Sequence, residues 1–68
     1  MPSAVIAGYD YDAAKAILTV HYHSGKVYNY LHVPEEVYRE MRATMAKGIF
    51  LNRNIKGKYP FVEVKTKD

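Results

Sequence analysis

The run Gly25-Lys26-Val27-Tyr28-Asn29-Tyr30-Leu31-His32-Val33-Pro34 decides how this chain is built. Val27, Tyr28 and Tyr30 favour a pleated strand, whereas Pro34 cannot donate to a ladder and suits the first position of a helix. A strand over Lys26–Leu31 therefore leads into a helix at Pro34. Upstream, Ala16–Tyr22 alternates, with Leu18, Val20 and Tyr22 on one side and Ile17, Thr19 and His21 on the other. The turn around Ser24-Gly25 joins the two strands, and its length decides which side chains share a face. A two-residue loop pairs His23 with Lys26 and sends Tyr28 and Tyr30 to the face opposite Leu18 and Val20. A three-residue loop, His23-Ser24-Gly25, pairs Tyr22 with Lys26 and Val20 with Tyr28. It needs a left-handed residue at its third position, where Gly25 stands. The second register is preferred, because it gathers Leu18, Val20, Tyr22, Tyr28 and Tyr30 on one face and leaves Ile17, Val27 and Leu31 on the other.

Working outward, Ala4–Tyr9 reads as a first strand, and Asp10-Tyr11-Asp12-Ala13-Ala14-Lys15 as a turn. After Pro34, Glu35 and Glu36 place negative charge at the positive end of the helix dipole. Val37, Met41 and Met45, with Tyr38 beside them, form a helical apolar stripe. Lys47 suits the last turn, and Gly48 is the expected left-handed stop. A short second helix with Leu51 and Ile55 on one face ends at Gly57. Tyr59-Pro60 breaks the pattern, and Phe61–Lys65 is either a short edge strand or an extended tail. The expected fold is α+β: a small three-stranded antiparallel sheet, a helix of about three to four turns, a short second helix, and that C-terminal strand or tail. Helices cover one sheet face, and the other stays wet.

With 68 residues the chain is a single domain, residues 1–68, with 65–68 as a frayed tail. It has no cysteine, which excludes disulfides and thiolate-bound zinc. Stability must come from packing, and seven tyrosines and two phenylalanines supply the area. No apolar run approaches the roughly 20 residues of a membrane-spanning helix. Met1-Pro2-Ser3 carries no secretory signal pattern, so the expected compartment is the cytoplasm. The net charge of +3 is unevenly placed. Residues 1–33 balance Lys15 and Lys26 against Asp10 and Asp12, whereas Arg42, Lys47, Arg53, Lys56 and Lys58 form a stretch without an acid. Such a stretch favours anionic partners, unless it merely solvates one face.

The candidate chemistries are few. Tyr28 and Tyr30 are either a stacking platform for unpaired bases or core residues with their hydroxyls near water; the register above favours the core. His21 and His23 share one side of a regular strand, and with His32 they offer three nitrogens. His23 falls in the loop, however, and no acid lies near in sequence, so neither metal nor other cofactor is expected. Asp10 and Asp12 suit a turn better than a carboxylate pair. No nucleophile elbow, phosphate-cradling glycine loop or His-Glu-x-x-His helix is present, and no catalytic residue is assigned. Arg42, Lys47, Arg53, Lys56 and Lys58 remain as the candidate nucleic-acid contacts. Phe50, Tyr59, Asn52 and Asn54 lie among them, with the two aromatics expected in the core.

From Gly8-Tyr9-Asp10 to about Tyr59 the chain resembles the KTSC domain family. The resemblance passes through Leu18, Val20 and Tyr22, the Gly25 turn, Tyr28-Asn29-Tyr30, Val33-Pro34, Val37-Tyr38, Gly48, Phe50-Leu51-Asn52, Ile55 and Tyr59. The family is named for its occurrence at the C-terminus of some lysyl-tRNA synthetases, and it also occurs as small stand-alone bacterial and phage proteins. It has no established biochemical activity, and the synthetase connection implies RNA as a partner. The family tends to have a serine two residues before Gly48, where Ala46 stands here. This chain lacks that serine's role, whether functional or a local cap.

The expected function is thus a small non-catalytic binding or accessory module. Its leading partner is RNA or single-stranded nucleic acid, bound weakly and without sequence preference through Arg42–Lys58. The rival partner is a protein or a second copy of this chain, docked on Ile17, Val27 and Leu31. No membrane association is expected.

Overall fold

The computed structural model describes residues 6–64. Four strands form one antiparallel sheet in the order β1-β2-β3-β4. They are β1 (Ile6–Asp12), β2 (Ile17–Tyr22), β3 (Val27–Tyr30) and β4 (Phe61–Val64), and the helices α1 (Glu35–Ala43) and α2 (Lys47–Asn54) lie between β3 and β4 in sequence.

The central hairpin takes the three-residue loop. Val20 pairs with Tyr28 and Leu18 with Tyr30. The Tyr22 N–H donates to the Lys26 carbonyl at 2.8 Å, and the Gly25 N–H to the Tyr22 carbonyl at 2.9 Å. Gly25 has φ +99°, a conformation that costs a residue with a Cβ about 1–2 kcal/mol. The inner face accordingly carries Leu18, Val20 and Tyr30, which join Val33, Met41, Leu51 and Ile55 in one core. Tyr9, Tyr11, Tyr22, Tyr28, Tyr38, Phe50 and Tyr59 pack around it, half-buried. The other sheet face holds Ile17, Thr19, His21, Val27 and Asn29, none of them fully buried.

Several boundaries differ from the sequence reading: β2 begins at Ile17 rather than Ala16, and β3 is Val27–Tyr30 rather than Lys26–Leu31. The first strand continues through Asp10 and Tyr11, because the Tyr11 ring turns inward and its hydroxyl donates to the Val33 carbonyl at 2.7 Å. Ala4 and Val5 lie outside the described residues. The turn follows at Asp12, whose Oδ1 accepts from the N–H groups of Ala14 (3.0 Å) and Lys15 (3.3 Å). Asp12 thus has its turn role, whereas Asp10 sits within β1.

The first helix is shorter than expected: it has nine residues and ends at Ala43, before Lys47 and Gly48. Thr44 ends it. Its hydroxyl accepts from the Ala46 N–H at 3.2 Å, and the Lys47 ammonium donates to its carbonyl at 2.7 Å. A threonine side chain that bonds nearby backbone competes with helix continuation in this way. Gly48 therefore lies inside α2 rather than at a stop, and Met45 is 95% exposed at the turn instead of extending the stripe of Val37 and Met41. Pro34, expected at the first helical position, is instead the N-cap of α1: its backbone is extended at φ −66° and ψ 153°, and its carbonyl accepts from the Val37 N–H at 3.0 Å. Glu35 and Arg39 pair at 3.1 Å on the exposed surface. Leu51 and Ile55 are buried from α2 and its end, and Gly57 follows in the left-handed region at φ +83°.

The C-terminal segment is a strand. β4 pairs antiparallel with β3, Tyr30 opposite Phe61 and Tyr28 opposite Glu63. The sheet therefore has four strands where three and an open alternative were expected, and Lys65 lies outside the described residues.

Candidate nucleic-acid interface

The site grows from the inner-face alternation. Tyr22, Tyr28 and Tyr30 share that face because the loop is three residues long, and Phe61 joins them because it pairs opposite Tyr30. The Tyr28 ring meets Tyr22 edge-on at 5.4 Å and Phe61 edge-on at 5.3 Å. Edge-to-face geometry suits the quadrupoles of the rings. Tyr22 and Tyr30 share a hydroxyl–hydroxyl bond of 2.8 Å. Burial pushes both phenols above their ordinary range. The bond raises Tyr22 further, and for Tyr30 it acts in the lowering direction without cancelling burial. Tyr30 is 2% exposed, so it is core, as the register implied. Phe61 is 57% exposed on the edge strand.

Helix α2 lies beside this aromatic row and brings charge to it. A cleft of about 490 Å³ is lined by Tyr22, Gly48, Ile49, Leu51, Asn52, Arg53 and Lys56. Gly48 contributes no side chain to its wall. A second pocket of about 270 Å³ is lined by Tyr28, Tyr30, Lys56, Gly57 and Phe61. Lys56 lines both, so one residue adjoins the two hollows.

The five expected basic contacts are divided by the fold. Arg53 and Lys56 converge on the aromatic row. Arg42 lies apart, beside Arg39 and Ala43 in a shallow depression, its guanidinium 5.7 Å from the centroid of Tyr38. Lys47 serves the α1–α2 turn through its bond to Thr44, and its ammonium is 5.9 Å from the Tyr9 ring centre. Lys58 is exposed and lines neither hollow. Phe50 and Tyr59 pack against the core, as expected. Asn52 lines the larger cleft, which Asn54 does not.

The histidines are dispersed in role. His21 Nε2 stands 3.7 Å from the Asp10 carboxylate on the open sheet face, His23 is in the hairpin loop, and His32 follows β3 at φ +61°. Among the described residues, no three His, Cys, Asp or Glu side chains are grouped to hold a metal ion. No helix among them is long and apolar enough to cross a membrane.

The sequence reading missed Phe61 and the role of Tyr22. The available signal was the alternation of Phe61 and Glu63 with Val62 and Val64, which puts Phe61 on the tyrosine face once β4 pairs with β3.

Residues 2–59 match the KTSC domain, and the chain belongs to that family. It is 34% identical over 61 residues to a lysine–tRNA ligase of Nostoc punctiforme, a match that covers 90% of this chain and 11% of the ligase. The lysine–tRNA ligase of Trichormus variabilis matches over 59 residues at 34% identity, covering 87% of this chain and 10% of that enzyme. The chain thus spans about a tenth of the length of these curated relatives. The crystal structure of a KTSC domain protein from Yersinia pestis has the same fold, with a TM-score of 0.89 at 28% identity. That likeness covers 96% of this chain and 92% of the other.

Proposed function

We propose that this chain is a non-catalytic binding module of the cytoplasm that holds RNA or another single-stranded nucleic acid in the cleft between Tyr22 and α2. One observation carries the reading: Arg53, Lys56 and Asn52 line a single cleft with a tyrosine. Cations neutralise phosphate, an amide hydrogen-bonds to sugar, phosphate or base edges, and aromatic rings accept unstacked bases. The matched relatives, which are lysine–tRNA ligases, favour RNA among such partners.

The reading narrows the contact set from five basic residues to Arg53 and Lys56. Fluorescence anisotropy with a labelled, unstructured RNA tests it across a salt series. Affinity falls as salt rises, and each phosphate contact removed by Arg53→Ala or Lys56→Ala lowers the logarithmic slope by about 0.7. Lack of binding at low salt, or binding unchanged in the double variant, overturns the proposal.

A second reading has its own observation. Val62 is 53% exposed and alternates with Phe61 and Glu63, so it shares the uncovered sheet face with Ile17 and Val27. An apolar patch there suits a protein partner or a second copy of this chain. Light scattering across a concentration series reads self-association, and a constant monomer mass removes the second copy.

A further inference from the structure

The smaller hollow has a composition that the larger lacks. It is lined by three aromatic residues, Tyr28, Tyr30 and Phe61, with Gly57 and a single charged residue, Lys56. Phe61 leans on Tyr28 at 80° and on Tyr30 at 44°, with 57% of its surface still open to solvent. A benzyl ring left this exposed on an edge strand, yet oriented by two tyrosines, is placed to receive another flat ring. Gly57 brings no side chain to the lining, and its φ of +83° is a conformation that favours glycine. Tyr30 spends its hydroxyl on Tyr22, and Tyr28 stands outside that pair.

We infer that this hollow is a nucleobase subsite. One unstacked base lies against Phe61 and Tyr28, and Lys56 holds the phosphate that leads into the Arg53–Asn52 cleft. The inference rests on the nucleic-acid reading above and adds to it a base-dependent contact. The shared lysine is what selects a strand over a lone aromatic molecule. Two adjoining hollows with one cation between them match the alternation of base and phosphate along a single strand. A duplex keeps its bases stacked and cannot supply the ring. Glu63, opposite Tyr28, is the one acid on the inner face of β3 and β4 and lines neither hollow.

Two labelled strands of equal length test this, an oligothymidylate and a strand built wholly from abasic sites. Both carry the same phosphates, so only the former offers a base. The protein binds the base-bearing strand more tightly, by between about fivefold and about a hundredfold for one stacked base. Phe61→Leu, which keeps bulk and loses the ring, narrows the gap between the two affinities. Phe61→Tyr preserves the gap, and Arg53→Ala weakens both strands alike. On the unaltered protein, the Phe61 ring signals shift in NMR spectra when thymidine monophosphate is added. Equal affinity for the two strands, a gap left unchanged by Phe61→Leu, or unmoved Phe61 signals overturns the subsite and leaves the phosphate contacts standing. Failure to bind either strand at low salt overturns both proposals.

Discussion

The Tyr22 and Tyr30 hydroxyls lie 2.8 Å apart, one from β2 and one from β3, and each is the other's partner in the inner layer. Tyr30 is 2% exposed, so its oxygen has little water to turn to. Tyr22→Phe therefore leaves a buried hydroxyl without its partner and costs about 1–3 kcal/mol. Tyr22→Phe with Tyr30→Phe removes both polar groups and costs less than the sum of the two single changes. Urea unfolding of the four proteins forms a double-mutant cycle that measures the coupling. Additive losses would show that the bond contributes nothing.

The same pair shapes the alkaline limit of stability. Burial, followed by the mutual bond, holds Tyr22 above the ordinary phenol range. Burial does the same for Tyr30, and for Tyr11 with the carboxylates of Glu35 and Asp12 adding to it. These groups keep their protons more tightly folded than unfolded, where phenols ionise near pH 10. Their contribution is complete below about pH 10 and is lost as the pH climbs above it, because the unfolded chain then binds fewer protons than the folded one. Melting temperature falls with rising pH beyond that point, and the double Tyr→Phe variant shows the shallower fall. An equal fall in both proteins would assign the alkaline loss elsewhere.

Ala46 is the N-cap of α2 and makes no side-chain capping bond. The first N–H groups of a helix lack partners within the helix, and serine at this position supplies an acceptor. Ala46→Ser stabilises the protein by roughly 0.5–2 kcal/mol. Thermal unfolding reads this directly. Nucleic-acid affinity should stay unchanged, since Ala46 lines neither hollow. A gain in affinity without a gain in stability would make this position part of the interface rather than a cap.

Lys47 and Lys56 look alike in the sequence and differ in the structure. Lys47 donates to the Thr44 carbonyl at 2.7 Å and holds the turn between the helices. Lys56 is exposed and lines both hollows. Lys47→Ala lowers stability by about 1 kcal/mol, the size of a typical hydrogen bond, and leaves most of the affinity. Lys56→Ala does the reverse. Denaturation and RNA titration of the two variants separate the roles, and the opposite pattern would exchange them.

The hairpin, the inner face and the start of α1 were legible because each rests on local chemistry. Gly25 admits the left-handed turn, the two-residue period then sorts the tyrosines, and Pro34 followed by two acids favours a helix start, which falls one residue later at Glu35. The end of α1 was not legible. Gly48 is the stronger local stop signal, yet the side chains of Thr44 and Lys47 terminate the helix earlier by bonding backbone around it. Asp10 and Tyr11 likewise read as a turn until the Val33 carbonyl, far along the chain, takes the Tyr11 hydroxyl.

The candidate site divides in the same way. Residue order alone establishes an excess of positive charge in the second half of the chain and a tyrosine layer facing inward, since charge counts and strand parity need no partner. Which cations meet that layer depends on contacts between elements distant along the chain. β4 returns to pair with β3 and sets Phe61 beside Tyr28, while the last turn of α2 brings Arg53 to the cleft with Tyr22, and Lys56 beyond it lines both hollows. Neighbours along the chain are set by local geometry. Phe61 and Lys56 share a pocket with Tyr28 and Tyr30 only because sheet pairing and core burial fold the chain back on itself.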